Sequence, residues 1–94
     1  MKKLVQSLIV SLIAFTALSS CQKNDVISLS YSIFFPATHA QTKAAEEWAR
    51  EVERRTEGRV KITLYAGETL SKAPQIYDGV VNGISDIGMS AFAY

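Results

Sequence analysis

Cysteine and histidine are scarce in this chain, and their scarcity limits the kinds of site that it can form. Cys21 is the only cysteine, so no disulfide can close within the chain. His39 is the only histidine, which excludes an all-histidine metal site and a catalytic pair of histidines. Ser85 and Asp86 have no base beside them, so no nucleophilic triad is visible. The sequence therefore predicts no metal, no cofactor and no active site.

A basic excess is also missing from the part of the chain that is expected to fold. The sequence has ten Lys and Arg and nine Asp and Glu. Removal of residues 1–20 takes Lys2 and Lys3 away, so eight basic residues then face nine acidic ones. A protein that binds nucleic acid is expected to carry a basic excess or a basic face. We therefore expect no nucleic-acid partner.

Residues 1–20 have the layout of a secretory signal peptide. Lys2 and Lys3 form a basic start, and an apolar run with a few polar interruptions follows from Leu4 to Leu18. A transmembrane helix needs roughly 20 apolar residues, so this shorter and interrupted run favours export over a membrane span.

Cys21 directly follows the predicted signal peptide. The segment Leu18-Ser19-Ser20-Cys21 resembles the bacterial lipobox, in which a large apolar residue and two small ones precede a cysteine that becomes acylated and N-terminal. A free buried cysteine is the weaker alternative, because a polar stretch follows. Acylation of Cys21 predicts a protein that lies against a bacterial membrane without crossing it. Residues 21–26 are then a tether, and residues 27–94 are the folded part.

Three strands are predicted in residues 27–94. Apolar residues alternate with serines from Ile27 to Phe35, and alternation returns from Arg59 to Ala66, which predicts two strands, the second with one wet face. The segment Ile84 to Phe92 is mostly small and apolar, which is typical of a more buried third strand.

Two helices are predicted between these strands. A capping box of Thr38 and Gln41 is expected to start the first helix, and Gly58 is expected to end it. Charged residues cover most of its circumference, which indicates a solvated face and not a binding patch. Two ion pairs are expected there, at a spacing of four residues: Glu46 with Arg50, and Glu51 with Arg55.

The second helix is expected to be capped by Ser71, to accept Pro74 in its first turn and to end at Gly83. Its predicted apolar stripe consists of Ala73, Ile76, Tyr77, Val80 and Val81.

The order of these elements predicts an α/β fold with a parallel sheet, because each crossover is long enough for parallel pairing. The edge-like second strand is expected outside the first, and the third on the first strand's other side, which gives the order 2-1-3. Right-handed crossovers then place one helix on each face. So small a sheet leaves apolar surface uncovered. We therefore expect the opening part of a larger protein, with a complete small domain as the alternative.

A ligand crevice is expected at the carboxyl ends of the first and third strands, where successive connections leave in opposite directions. The first helix would direct unpaired N–H groups into this crevice, which favours a carboxylate or a phosphate. The candidate ligand contacts surround these strand ends: Thr38, His39, Glu68, Thr69, Ser90, Phe92 and Tyr94.

Most of these candidates have a plainer alternative. His39 is either a ligand contact or pH-sensitive donor, or a residue that braces the helix start. Thr38 is more simply a helix cap than a ligand contact. Glu68 either accepts a ligand hydroxyl or amine or is an ordinary exposed glutamate. Phe92 and Tyr94 either stack on a ligand ring or pack under the next element.

Three motifs resemble the N-terminal lobe of the substrate-binding subunits of tripartite ATP-independent periplasmic (TRAP) transporters, in the dicarboxylate-binding branch. In order they are Phe35-Pro36-Ala37-Thr38-His39, Thr56-Glu57-Gly58-Arg59-Val60-Lys61-Ile62 and Tyr77-Asp78-Gly79-Val80-Val81-Asn82-Gly83-Ile84-Ser85-Asp86-Ile87-Gly88. The third motif is the most specific, and the resemblance covers nearly all of residues 27–94. Loop 66–70 departs from it, with Ala-Gly-Glu-Thr-Leu where the family often has Pro-Gly before a leucine.

The resemblance implies a type II-like, two-lobed periplasmic binding protein that closes on a small organic acid without catalysis. It also implies delivery of that acid to membrane permease subunits without ATP, and a carboxylate-clamping arginine outside the matched residues. Two other classes stay open. One is an extracytoplasmic sensor or chemoreception module of the same fold, and the other is an enzyme built on a two-lobed binding fold.

Overall fold

The computed structural model describes residues 1–7 and 25–94. Cys21 and most of the predicted signal peptide lie outside the described residues, and residues 2–7 are helical. In the part of the chain that the structure describes, no helix combines the length and the apolar character needed to cross a membrane.

Residues 27–94 fold in the predicted order of strand, helix, strand, helix and strand. The elements are β1 (Ile27–Ile33), α1 (Ala40–Arg55), β2 (Val60–Tyr65), a 3₁₀ turn (Ala73–Gln75), α2 (Ile76–Val81) and β3 (Ile87–Met89). All strand pairs are parallel, and the strand order is β2-β1-β3. The predicted α/β class, the parallel pairing and the order 2-1-3 are therefore confirmed.

The two helices lie on opposite faces of the sheet, as predicted. Tyr31 of β1 meets Trp48 of α1 edge to face with ring centroids 6.0 Å apart, so α1 covers the face that carries Tyr31. Ser32, the next residue of β1, pairs with Gly88 of β3. A Cβ atom at Gly88 would lie 2.6 Å from Cγ2 of Ile76, so α2 covers the face that carries Ser32.

Strand β2 has the edge position and the wet face that were predicted, because half-buried and exposed residues alternate along it. The small core lies between the sheet and the two helices, and its apolar members are Ile33, Ala45, Ala49, Ala73 and Ile76.

The predicted stripe of α2 is wrong at two positions. Tyr77 is 73% exposed and Val81 is 65% exposed. Helix α2 meets the sheet through Ile76 and Val80, which are four residues apart and share one face. Tyr77 and Val81 each follow one of these residues by a single position, so they lie further round the helix and point away from the sheet.

The third strand is shorter and less buried than predicted. β3 contains only three residues, none of them buried, and Phe92 is fully exposed. Ile84 belongs to the turn that closes α2, since its backbone N–H donates to the carbonyl of Gly79 at 2.7 Å. β3 pairs with a single strand among the described residues, which leaves its other edge and much of its surface open.

Helix α1 ends in a Schellman motif one residue earlier than predicted. The backbone N–H of Glu57 donates to the carbonyl of Arg54 at 3.1 Å, and that of Gly58 donates to the carbonyl of Glu53 at 2.8 Å. Glu57, with φ at 53°, takes the left-handed position that was expected of Gly58. Gly58 follows with φ at 77°, so two successive residues are left-handed.

The charged face of α1 forms one of the two predicted ion pairs. Glu51 accepts from Arg55 at 2.6 Å, as predicted, and also from Arg54. Hydrogen bonds from these two arginines lower the pKa of Glu51 to about 2. Glu46 pairs with Lys43 at 3.2 Å and not with Arg50. These side chains are exposed, so each pair contributes little to the free energy of unfolding.

Candidate ligand site at the carboxyl edge of the sheet

The carboxyl end of β1 is held by the loop that follows β2. The backbone N–H of Gly67 donates to the carbonyl of Phe35 at 2.8 Å, and that of Glu68 donates to the carbonyl of Ile33 at 3.3 Å. β1 therefore ends at Ile33, two residues before the predicted boundary. Phe34 and Phe35 leave the sheet in a bend.

Four rings form a continuous row at this edge, which we call the aromatic row. His39 stacks on Phe35 with centroids 3.9 Å apart and planes 3° apart. Phe35 contacts Phe34 at 4.0 Å, and Phe34 meets Tyr94 edge to face at 5.8 Å. The row joins two predicted site residues, His39 and Tyr94, through two phenylalanines. Phe34 was not predicted as a site residue, although a pair of phenylalanines directly before Pro36 was a visible signal.

His39, and not Thr38, caps α1. The backbone of His39 is extended, with φ at −71° and ψ at 143°, and its Nδ1 accepts the N–H of Gln41 at 3.2 Å. The expected capping box of Thr38 and Gln41 is therefore wrong. Thr38 lies in the turn that the N–H of His39 closes on the carbonyl of Pro36 at 3.0 Å, which brings the next residue into the cap position. His39 therefore braces the helix start, as in its plainer alternative, and its role as a ligand contact stays a prediction.

Thr42 also stabilises this loop, and the sequence analysis did not predict this role. Its side chain is fully buried, and its hydroxyl donates to the carbonyl of Pro36 at 2.9 Å. A β-branched polar residue one turn into a helix was the available signal, because such a residue has a low helix propensity and commonly bonds to the backbone.

The positive end of α1 is not neutralised by the helix itself. Its first turn contains no acidic residue. Among the described residues, the N–H groups of Ala40 and Thr42 have no acceptor, while Nδ1 of His39 accepts the N–H of Gln41. A helix end of this kind attracts negative charge.

Glu68 has a structural partner inside the protein. Its Oε1 accepts the N–H of Ala73 at 2.7 Å, so Glu68 caps the 3₁₀ turn in the role predicted for Ser71. The Ser71 expectation is wrong, because this side chain is buried against Gly79. Pro74 lies in the 3₁₀ turn that precedes α2, and not in the first turn of α2 as predicted. Thr69 is exposed beside Glu68.

A groove of about 270 Å³ brings together three of the predicted contacts. It is lined by Tyr77, Ser90, Ala91, Phe92 and Tyr94. Tyr94 belongs to both the groove and the aromatic row, so the two surfaces are continuous. A larger cavity of about 470 Å³ lies between the loop at Glu68 and α2, and it shares no residue with the row. Within residues 1–7 and 25–94, no cluster of His, Cys, Asp and Glu could hold a metal ion.

The topology and the edge site define the class of the protein. It is an open parallel α/β domain of the kind whose ligands bind beyond the carboxyl ends of the strands. Residues 31–94 match DctP, the bacterial extracellular solute-binding protein, family 7, and the chain belongs to this family.

Two solved structures are similar to the chain. One is a TRAP periplasmic solute binding protein from Desulfovibrio salexigens, with 44% identity and a TM-score of 0.69 over 72% of this chain and 21% of that one. That crystal is an open complex, with the C-terminus of a symmetry mate bound in the ligand binding site. The other, a TRAP periplasmic solute binding protein from Ochrobactrum anthropi, shares the fold at 21% identity and a TM-score of 0.61, over 67% of this chain and 20% of that one. The chain spans about a fifth of the length of each.

Proposed function

We propose that residues 27–94 form part of the binding lobe of a TRAP-type extracytoplasmic solute-binding subunit, which captures a small organic acid and delivers it to membrane permease subunits. The observation that carries this proposal is the meeting of the aromatic row with the amino end of α1 at the carboxyl edge of β1. Capture is a binding event, and no bond in the solute is broken.

The two parts of this surface match the two parts of an organic acid. The backbone N–H of Ala40, an exposed residue, offers a hydrogen bond to a carboxylate, and the amino end of α1 offers it positive charge. The aromatic row and the groove beside it offer apolar surface to the carbon skeleton. In the Desulfovibrio salexigens protein the ligand binding site holds a protein C-terminus. A C-terminus is itself a carboxylate on an organic chain, which supports a carboxylic acid as the solute here. We propose an acid of three to ten carbons with one or two carboxylates.

We propose that the solute is contacted by the residues that the sequence predicted as ligand contacts. His39 and Tyr94 contact it from the row, and Ser90 and Phe92 contact it from the groove. Three further candidates lie on the loops that follow β1 and β2: Thr38, Glu68 and Thr69. Glu68 then acts mainly by holding its loop in place.

A thermal-shift experiment on the full-length gene product tests the proposal. Pyruvate, succinate, benzoate and octanoate are compared with succinamide, benzamide, glucose and glycine. Each amide is a matched control, because it keeps the carbon skeleton of its acid and removes the charge. A ligand at 100 times its Kd that binds only the folded state adds about 2.7 kcal/mol to the free energy of unfolding. We expect at least one acid to raise the Tm while its amide does not. Stabilisation by glucose alone would exclude an acid as the solute.

A further inference from the structure

The two ring nitrogens of His39 have different surroundings. Nδ1 accepts the N–H of Gln41 at 3.2 Å, so it carries no proton in this arrangement. The neutral ring must then carry its proton on Nε2, which makes Nε2–H a hydrogen-bond donor. Nε2 has no hydrogen-bond partner among the residues that the structure describes. One nitrogen is thus committed to the helix, and the other is available.

The ring cannot easily turn to exchange these nitrogens. One face lies flat on Phe35 at 3.9 Å. The backbone on both sides is fixed, because the N–H of His39 donates to the carbonyl of Pro36 and its own carbonyl accepts from the N–H of Lys43, both at 3.0 Å. A ring flip would break the bond to Gln41 and leave that N–H without an acceptor.

The charged groups on the neighbouring elements have partners of their own. On α1, the ammonium of Lys43 pairs with Glu46 at 3.2 Å. On the loop after β2, the carboxylate of Glu68 accepts the N–H of Ala73. The bend that carries Phe35 has no ionisable side chain. His39 forms no ion pair with any described residue.

We propose that His39 determines ligand specificity through this fixed tautomer: Nδ1 caps α1, and Nε2–H donates a hydrogen bond to an acceptor oxygen of the bound organic acid. This inference rests on the proposed function. A rigid donor favours a carboxylate or carbonyl oxygen and disfavours an ammonium group, which has no acceptor. The arrangement therefore adds a directional contact to the charge preference of the helix end.

Two amide variants separate the two roles of the ring. In His39→Asn, the side-chain oxygen can replace Nδ1 as the cap acceptor, but the side chain is too short to place a donor where Nε2 lies. In His39→Gln, the amide nitrogen reaches the position of Nε2, but the acceptor beside the N–H of Gln41 is lost. We therefore expect His39→Asn to keep the Tm and lose affinity, and His39→Gln to lower the Tm and keep more of the affinity.

The test has two readouts in the full-length gene product. Nitrogen-15 NMR of the imidazole, without any solute, is expected to show a proton on Nε2 and none on Nδ1. Calorimetric titration with succinate, benzoate and octanoate is expected to show about tenfold to a hundredfold weaker binding by His39→Asn for the acid that the unaltered protein binds most tightly. The Tm of His39→Asn, measured alongside, shows that the variant is folded.

Each contrary result has its own meaning. A proton on Nδ1 overturns the tautomer assignment. Equal acid binding by the unaltered protein and His39→Asn overturns the specificity role and leaves the proposed function standing. If the unaltered protein binds neither these three acids nor pyruvate, the proposed function and this inference both fail.

Discussion

Asp86 is the residue that most directly joins β1 to β3. Its Oδ2 accepts both the backbone N–H and the hydroxyl of Ser30, each at 2.8 Å. In return, the N–H of Asp86 donates to the carbonyl and the hydroxyl of Ser30, each at 3.1 Å. The backbone bond from Ser30 is the main cause, and its hydroxyl the second, of the lowered pKa of Asp86.

We predict that Asp86→Asn destabilises the protein at neutral pH and removes part of its acid sensitivity. A carboxyl group whose pKa is lowered by folding stabilises the fold above its unfolded-state pKa, and this contribution is lost as the pH falls through the folded-state pKa. The difference in free energy of unfolding between the two proteins should therefore be largest at pH 7 and should shrink toward pH 3. Urea unfolding of the full-length gene product, followed by circular dichroism at several pH values, measures this difference.

Asp25→Asn is the matched control for this prediction. Asp25 is an exposed aspartate before β1 whose carboxylate has no hydrogen bond to a described residue. We expect its variant to unfold as the unaltered protein does at each pH. A gap between Asp86→Asn and the unaltered protein that stays constant from pH 7 to pH 3 would show that the charge of Asp86 is not involved.

Single residues of the site were harder to predict than their neighbourhood. The loop between β1 and α1 lies where the sequence predicted it, and His39 braces the helix start, which is one of its two predicted roles. The cap was assigned to Thr38 because serine and threonine are the usual capping residues. Which residue reaches the cap position depends on the turn at Pro36 and on the buried hydroxyl of Thr42, and neither geometry is encoded in a local spacing rule.

At the scale of elements, the contact between α2 and β3 depends on the absence of a side chain. A Cβ atom at Gly88 would lie 2.6 Å from Cγ2 of Ile76 and 2.9 Å from Cγ2 of Val80. Both carbons are methyl groups on β-branched side chains, which have little rotamer freedom in a helix. The helix can approach the strand this closely only because position 88 is glycine.

We predict that Gly88→Ala lowers the free energy of unfolding by about 1–3 kcal/mol, because the added methyl group forces α2 away from β3. Ile76→Ala alone should cost about 2–5 kcal/mol, since Ile76 is almost fully buried. In the Ile76→Ala background the cost of Gly88→Ala should fall by about 1 kcal/mol, because one of the two clashing methyl groups is gone. Urea unfolding of the unaltered protein, the two single variants and the double variant gives the four free energies of this double-mutant cycle. Strictly additive losses would show that the two positions do not interact.

Element types were more predictable than element lengths. The period-2 patterns of β1 and β2 and the capped amphipathic pattern of α1 are local, and these elements formed where predicted to within a few residues. β3 was predicted to be too long, because its apolar composition resembles that of a buried strand. Its actual length is set by pairing with Tyr31 to Ile33 alone. A strand's extent depends on its partner, which composition does not reveal.

At the scale of the whole molecule, the strand order followed from few facts. An edge-like second strand and two long crossovers leave 2-1-3 as the natural order once right-handed connections are required. The exposure of Ile27 on β1 and Tyr65 on β2, at 56% and 37%, agrees with the expectation that this sheet leaves apolar surface uncovered. The aromatic row could not be predicted in the same way, because it joins residues from opposite ends of the folded part, Phe34 and Tyr94.

For the whole protein, the segment that ends in Cys21 predicts attachment to a membrane through a lipid. If this segment is a lipobox, Cys21 is acylated, and cleavage before it makes it the N-terminus of the mature protein. A single acyl chain binds a membrane only marginally, so stable anchoring requires that Cys21 carry more than one chain, as a diacyl group on its sulfur would supply. We expect the unaltered protein, expressed in a bacterium, to be found in the membrane fraction with a mass that begins at Cys21 and includes the lipid.

Cys21→Ser should give a protein whose mass includes no lipid and which is no longer found in the membrane fraction. The matched control is Ser20→Ala, which keeps a small residue before the cysteine and should therefore still be cleaved and acylated. Intact mass spectrometry and incorporation of labelled palmitate distinguish the two variants without reference to solute binding. An unaltered protein that keeps residues 1–20, or that carries no lipid on Cys21, would contradict this prediction, because both steps are required for the cysteine to become an anchored N-terminus.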